Sequence, residues 1–137
     1  MNTFKFYNSS KMKNSLRIDI GLLILRIAPA VMLLTHGIPK FKKLTGGGEI
    51  EFGDPIGIGP IPSLFLAVVG EVICPLLIII GFKARFAAIP SAITMAVAAT
   101  IVHSSDPFPS KEKALLFLTC FVAIIFLGPG KFSIDGR

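Results

Sequence analysis

Along the chain, long apolar runs are separated by short polar breaks; apolar and polar positions do not alternate. Three runs stand out at once: 18–38, 61–82 and 86–102. A fourth, 114–127, reaches spanning length when counted from Ser110, with Lys111 and Lys113 extending back to water. A helix needs about 20 mostly apolar residues to cross a bilayer. In hydrocarbon every amide must be satisfied within its own segment, so these runs are helices. Barrel strands would alternate apolar and polar positions, and these runs do not. The pattern predicts an all-α fold, a four-transmembrane-helix bundle running up-down-up-down, with helices at 18–38, 61–82, 86–102 and 110–127. A basic flank (1–17) precedes this membrane domain (18–128), a glycine-rich outer loop (39–60) interrupts it, and a tail (129–137) follows.

The connections refine that picture. Lys83-Ala84-Arg85 is too short a turn for anything but antiparallel neighbours. Asp106-Pro107-Phe108-Pro109 reads as a turn before a Ser110 N-cap, with Glu112 in the first helical turn. Ala88, Ala92, Ala96 and Ala99 share one side of the third helix and predict a close packing seam. The loop 39–60 is long for a bundle and holds Gly46-Gly47-Gly48 without a phosphate-loop lysine pattern, so it reads as a flexible loop or lid. Ala28-Pro29-Ala30 loosely resembles a signal-cleavage site, but Arg26 interrupts the apolar stretch and Val31-Met32-Leu33-Leu34 continues it, so an uncleaved helix is expected.

Composition agrees. Of 137 residues, 53% are hydrophobic and only 16% charged, which argues against a soluble enzyme with a large polar cleft and excludes disorder. The net charge of +6 sits beside the apolar runs, so it points to a membrane and not to nucleic acid. Lys5, Lys11, Lys13, Arg17, Lys83, Arg85, Lys131 and Arg137 fall on one side of the predicted bundle. Lys40, Lys42, Lys43, Lys111 and Lys113 fall on the other. That excess predicts cytoplasmic termini.

Charges inside the runs are the candidate chemistry. Arg26 and Glu71 each cost roughly 2.5–3.5 kcal/mol in a membrane helix and so need a partner or a wet cavity. Counted from the inner ends of helices starting at 18 and ending at 82, they lie about 12 and 16 Å deep. They are therefore expected to meet, either as a register-fixing ion pair or as the polar floor of a ligand site. His36 and His103 end their helices on the same side, where they either anchor the interface or serve a proton or a quinone carbonyl. Two imidazoles alone define no metal site. Cys74 and Cys120 form no C-x-x-C pair; they are redox thiols only if their helices touch, and otherwise inert apolar groups.

Gly21-Leu22-Leu23-Ile24-Leu25-Arg26, then His36-Gly37-Ile38-Pro39-Lys40, resembles the first helix of the DoxX family of membrane proteins. Glu71 with Gly81-Phe82-Lys83-Ala84-Arg85-Phe86-Ala87-Ala88 is similar to its second helix and basic turn. The run from Glu112-Lys113-Ala114-Leu115-Leu116-Phe117 through Gly128-Pro129-Gly130-Lys131-Phe132-Ser133-Ile134-Asp135 is similar to its close. The resemblance spans residues 17–135. It implies a four-helix membrane bundle, polar positions at Arg26, His36, Lys40, Glu71 and His103, and association with thiosulfate:quinone oxidoreductase or thiol-redox systems. Where members often carry a Gly-Gly pair after the acid, this chain has Cys74-Pro75, and the proline is expected to kink the helix one turn beyond Glu71.

The functional expectation is a membrane subunit of a quinone-, thiol- or sulfur-linked redox system in the bacterial inner membrane. It would work with redox partner proteins or as a homo-oligomer, with quinone as ligand and no flavin, haem or iron–sulfur motif of its own. A non-catalytic scaffold or assembly factor, and a small-solute or proton carrier, are the alternatives.

Overall fold

The computed structural model describes residues 2–137, without the side chains of residues 2, 4–7 and 10. Lys5, counted above for orientation, thus has its side chain outside the described residues. Those residues are all-helical: α1 (Asn2–Thr45), α2 (Pro60–Ile80), α3 (Ala84–Val102) and α4 (Phe108–Leu127), with no strand among them. Three stretches, Lys11–Thr45, Pro60–Ile80 and Ala84–Val102, are long and apolar enough to cross a membrane. The 20 residues of α4 carry Lys111, Glu112 and Lys113 in their first turns.

Burial follows a small-residue logic. Of the four alanines in the predicted seam, Ala88, Ala92 and Ala99 of α3 are buried and Ala96 is half-buried; Ala84, one turn earlier, is buried too. Against them pack Phe117, Phe121 and Ile124 of α4 with Ala30, Leu33, Cys74 and Ile78. The bundle's outside is apolar: Ile24, Phe65, Phe86, Leu116 and Phe126 are all more than half exposed. Such a surface is unstable in water and ordinary in lipid.

Two helices differ from expectation at their termini. First, α1 starts at Asn2, not 18, and runs on to Thr45, so the outer loop shrinks to residues 46–59. Second, α4 begins at Phe108 behind Pro107, with no side-chain cap, so Ser110 is not its N-cap. Pro109 occupies one of the first positions, where a missing N–H costs nothing.

Where a kink is expected one turn beyond Glu71, α2 instead carries a π-turn over Val69–Ile73 that contains Glu71 and ends just before Pro75. The Cys74 amide reaches back to the Val69 carbonyl, five residues away. Pro75 has no amide to continue that pattern onto Gly70. Ser91 of α3 substitutes for it: its hydroxyl donates to the Gly70 carbonyl at 2.7 Å, with both groups buried. A π-turn adds a residue to the helix and rotates what it carries, and Glu71 lies within it.

At the other end of α2, Gly81 (φ 72°) closes the helix, with the Phe82 amide bonded to the Leu77 carbonyl. Here the tail, residues 128–137, folds back under the bundle. Its Ile134 and Asp135 amides donate to the Ile80 and Gly81 carbonyls. The Asp135 carboxylate accepts the Lys83 and Ala84 amides at 2.8 and 2.9 Å, capping α3 from a distant part of the chain. Gly81 touches Ser133 closely enough that no side chain fits.

Ser91→Ala should destabilise the protein by about 1–3 kcal/mol, because the Gly70 carbonyl loses its donor. In a Pro75→Ala background, where an amide returns, that cost should shrink, a coupling that thermal melts of the four variants in detergent would measure. Equal costs in both backgrounds would refute the substitution of hydroxyl for amide.

Candidate functional site

Arg26 and Glu71 do not meet. The Arg26 guanidinium donates to the Pro129 carbonyl at 2.8 Å and the Phe132 carbonyl at 2.6 Å, both in the tail. It lies beside Gly81, level with the inner end of α2. The reason is the early start of α1: depth counted from residue 18 set Arg26 too high. Eleven residues further on, about 16 Å along the helix, Gly37 packs on the Glu71 backbone with no room for a side chain. Arg26 is therefore a tail anchor, buried to 3% exposure. Its Nε is the one buried side-chain polar atom without a partner among the described residues.

Glu71 is held instead by Lys40, whose Nζ lies 2.6 and 2.8 Å from its two carboxylate oxygens. Glu71 is 2% exposed, while the Lys40 side chain remains a third exposed. The lysine stem spans the gap from the end of α1 inward and its ammonium neutralises the acid, as a charge at this depth requires.

Around this ion pair lie two cavities. One, about 400 Å³, is lined by Leu33, His36, Lys40, Glu71, His103 and Lys113, with Phe117 and Met95 on its apolar side. Four of the five expected polar positions thus share one chamber, and Arg26 is the exception. The other cavity, about 320 Å³, shares Lys40, Glu71 and His103 but is otherwise mostly apolar, with Ser63 and Thr94 its remaining polar side chains: Leu66, Ala67, Ile93 and Val97 form its walls, and Phe52, Pro55 and Ile56 of the outer loop cover it. The loop therefore acts as a roof. Sequence reasoning missed Lys113 and the roof residues, because neither type nor spacing marks them; only helix packing brings them here.

The histidines differ. His36 sets its ring edge-on to Phe117, with centroids 6.1 Å apart. His103 follows a second π-turn, Ala98–Val102, and its Nδ1 lies 2.7 Å from the Asp106 carboxylate. An acceptor-only carboxylate makes that nitrogen the donor, which leaves Nε2 as the acceptor of the neutral ring. Cys74 and Cys120 are free thiols, the first buried and the second half-buried. Among the described residues no group of three or more metal-ligating side chains exists.

Asp54 ties the roof down. It accepts the Ile58 and Gly59 amides at 2.9 and 2.7 Å and the Ser63 hydroxyl at 2.8 Å. The Ser63 bond first, helped by the backbone amides, holds its carboxyl below the usual carboxylate range against an opposing effect of desolvation that is second only to the Ser63 bond. A depressed folded pKa means that the stabilisation is complete above the ordinary value near 4 and is lost as pH falls below it. Hydrogen exchange of residues 54–59 should stay slow at pH 5 and accelerate below the ordinary carboxylate range, and Ser63→Ala should move that onset to higher pH. An onset unmoved by Ser63→Ala would rule out this tether.

The chain is similar to several known proteins. The chain is 32% identical over 126 residues to an uncharacterized protein of Haemophilus influenzae, covering 85% of this chain and 89% of that one. It is 29% identical over 103 residues to "Putative oxidoreductase CatD" of Bacillus subtilis, covering 74% and 75%. An uncharacterized membrane protein of Mycobacterium tuberculosis is 29% identical over 133 residues, covering 85% and 80%. No solved structure matches the chain. The DoxX family model matches residues 21–104, a stretch holding Arg26, His36, Lys40, Glu71 and His103 and ending before the tail. With that match over more than half its length and its apolar helices, the chain belongs to the DoxX family and is a multi-pass integral membrane protein.

Proposed function

We propose that this chain is the membrane subunit of a redox system and binds a quinone-like ligand at the Lys40–Glu71 ion pair. One observation carries the reading: a polar chamber and an apolar chamber adjoin at Lys40, Glu71 and His103. A ligand with carbonyl oxygens at one end and an apolar tail fits that division. Lys40, Lys113 and the His103 ring supply polar contacts to the head, and Leu66, Ile93 and Val97 flank the tail under the roof. Glu71 is the group able to exchange a proton with a bound head, with Lys40 balancing its charge. Electrons come from partner proteins. The Bacillus subtilis relative's name supports a redox context.

In this reading all four helices cross the bacterial inner membrane, up-down-up-down, with both termini cytoplasmic and the roof outside. The charge pattern supports that orientation. The gathering of Arg26, Gly81, Ala84 and the tail at one end, with Lys40, His103 and Lys113 toward the other, supports the up-down alternation of the helices.

Titration of the purified protein in nanodiscs with a short-chain ubiquinone analogue tests it. Removing a charged hydrogen-bonding group is worth about 1.5–3 kcal/mol, so Glu71→Gln and Lys40→Met should each weaken binding by about 10- to 100-fold. Cys120→Ala should bind as the wild type does. No binding by the wild type, or equal binding by all variants, would overturn the proposal in favour of a scaffold.

A further inference from the structure

The inner end of the bundle holds a third cavity, about 410 Å³, remote from the ion pair and lined by Lys83, Arg85, Phe86, Leu127, Gly128 and Asp135 among others. It forms where the α2–α3 turn meets the chain leaving α4. Gly128 (φ 78°) makes that turn so close to Arg85 that a β-carbon there would lie 2.9 Å from Nε and 3.0 Å from Nη2. The guanidinium is thus seated on backbone. Lys83 sits in the left-handed region (φ 46°) with its ammonium 5.7 Å from the centre of the Phe82 ring.

The charge balance of the cavity is positive. Asp135 is its acid, but both carboxylate oxygens are engaged by the Lys83 and Ala84 amides, and Arg26 opposes its charge from behind. The two ion pairs among the described residues are Lys40–Glu71 and His103–Asp106, so neither Lys83 nor Arg85 is paired with a carboxylate there. Directly beside these two cations, Phe86 and Leu127 are 73% and 58% exposed, with Phe126 at 76% continuing the apolar face. Cations above an open apolar groove select an anion that carries hydrocarbon. Arginine suits the phosphate by its planar fork of donors, and basic pockets between transmembrane helices are suited to phospholipid head groups.

We infer that this cavity is a binding site for one anionic phospholipid, its phosphate at Arg85 and Lys83 and its acyl chains along Phe86 and Leu127. A zwitterionic lipid brings its own ammonium into a positive pocket and is disfavoured. Free phosphate has nothing to place against the apolar groove.

The test uses the full chain in detergent, with binding read by native mass spectrometry and by the shift in melting temperature. The probes are phosphatidylglycerol, phosphatidylcholine and inorganic phosphate. The site variant is Lys83→Asn/Arg85→Gln; asparagine tolerates the left-handed backbone that Lys83 adopts. The control, Lys11→Gln/Lys13→Gln, removes equal charge from exposed positions of α1. Phosphatidylglycerol should stabilise the wild type and the control alike, and bind the site variant roughly 30-fold more weakly, given the typical contribution of two such cations. Phosphatidylcholine and inorganic phosphate should give no comparable shift. Should the double variant fail to fold, Arg85→Gln alone, assayed for phosphatidylglycerol retained through purification, must retain less than the wild type. Equal binding by site variant and wild type, equal losses in site variant and control, or protection by phosphatidylcholine or inorganic phosphate equal to that by phosphatidylglycerol would each overturn the assignment.

Discussion

A charge in hydrocarbon must be met by a fixed partner, and this protein places two such charges at different levels. Lipid offers no hydrogen bonds, so the cost of an unsatisfied guanidinium or carboxylate falls entirely on the fold. Arg26 is met by carbonyls of the tail, and Glu71 by the ammonium of Lys40. Each solution shapes one end of the bundle. The first draws residues 128–137 underneath, where Asp135 can then cap α3. The second pulls a lysine into the interior and leaves a polar wall between two chambers.

Backbone irregularity serves the same end. Glu71 and His103 lie on or just after π-turns, and both turns sit near the chambers. In α2 the irregularity traces to Pro75, and its orphan carbonyl is satisfied by Ser91 across the helix interface. A proline that would otherwise cost a hydrogen bond thus accompanies the π-turn that carries Glu71, with a buried serine on the neighbouring helix offsetting the loss.

The two ends carry different chemistry. At the roofed end, a neutralised acid, two imidazoles and Lys113 adjoin a mostly apolar chamber, the geometry on which the proposed quinone-like ligand rests. At the other end, Lys83 and Arg85 flank the turn while Asp135 is engaged by backbone amides, the geometry on which the inferred anionic-lipid site rests. Glycines enable both: Gly37 lets α1 approach Glu71, and Gly81 admits the tail.

By itself the sequence determined the membrane class, the helical fold, the family and the residues worth asking about. These depend on run length and residue type, which hydrocarbon reads locally. His36, Lys40, Glu71 and His103 were legible as polar positions, and Pro75 as a break. Pairing was not legible. Arg26 and Glu71 looked like partners because depth was counted from an assumed helix start at 18, but α1 extends past the end of α2, so Arg26 stands level with Gly81 and Gly37 level with Glu71. Only the tertiary structure decided which cation meets the acid, that the tail returns under the bundle, and that a loop roofs a chamber. Those are contacts between segments far apart in the chain, fixed by the relative slide of packed helices, and periodicity within one helix carries no record of its level against the next.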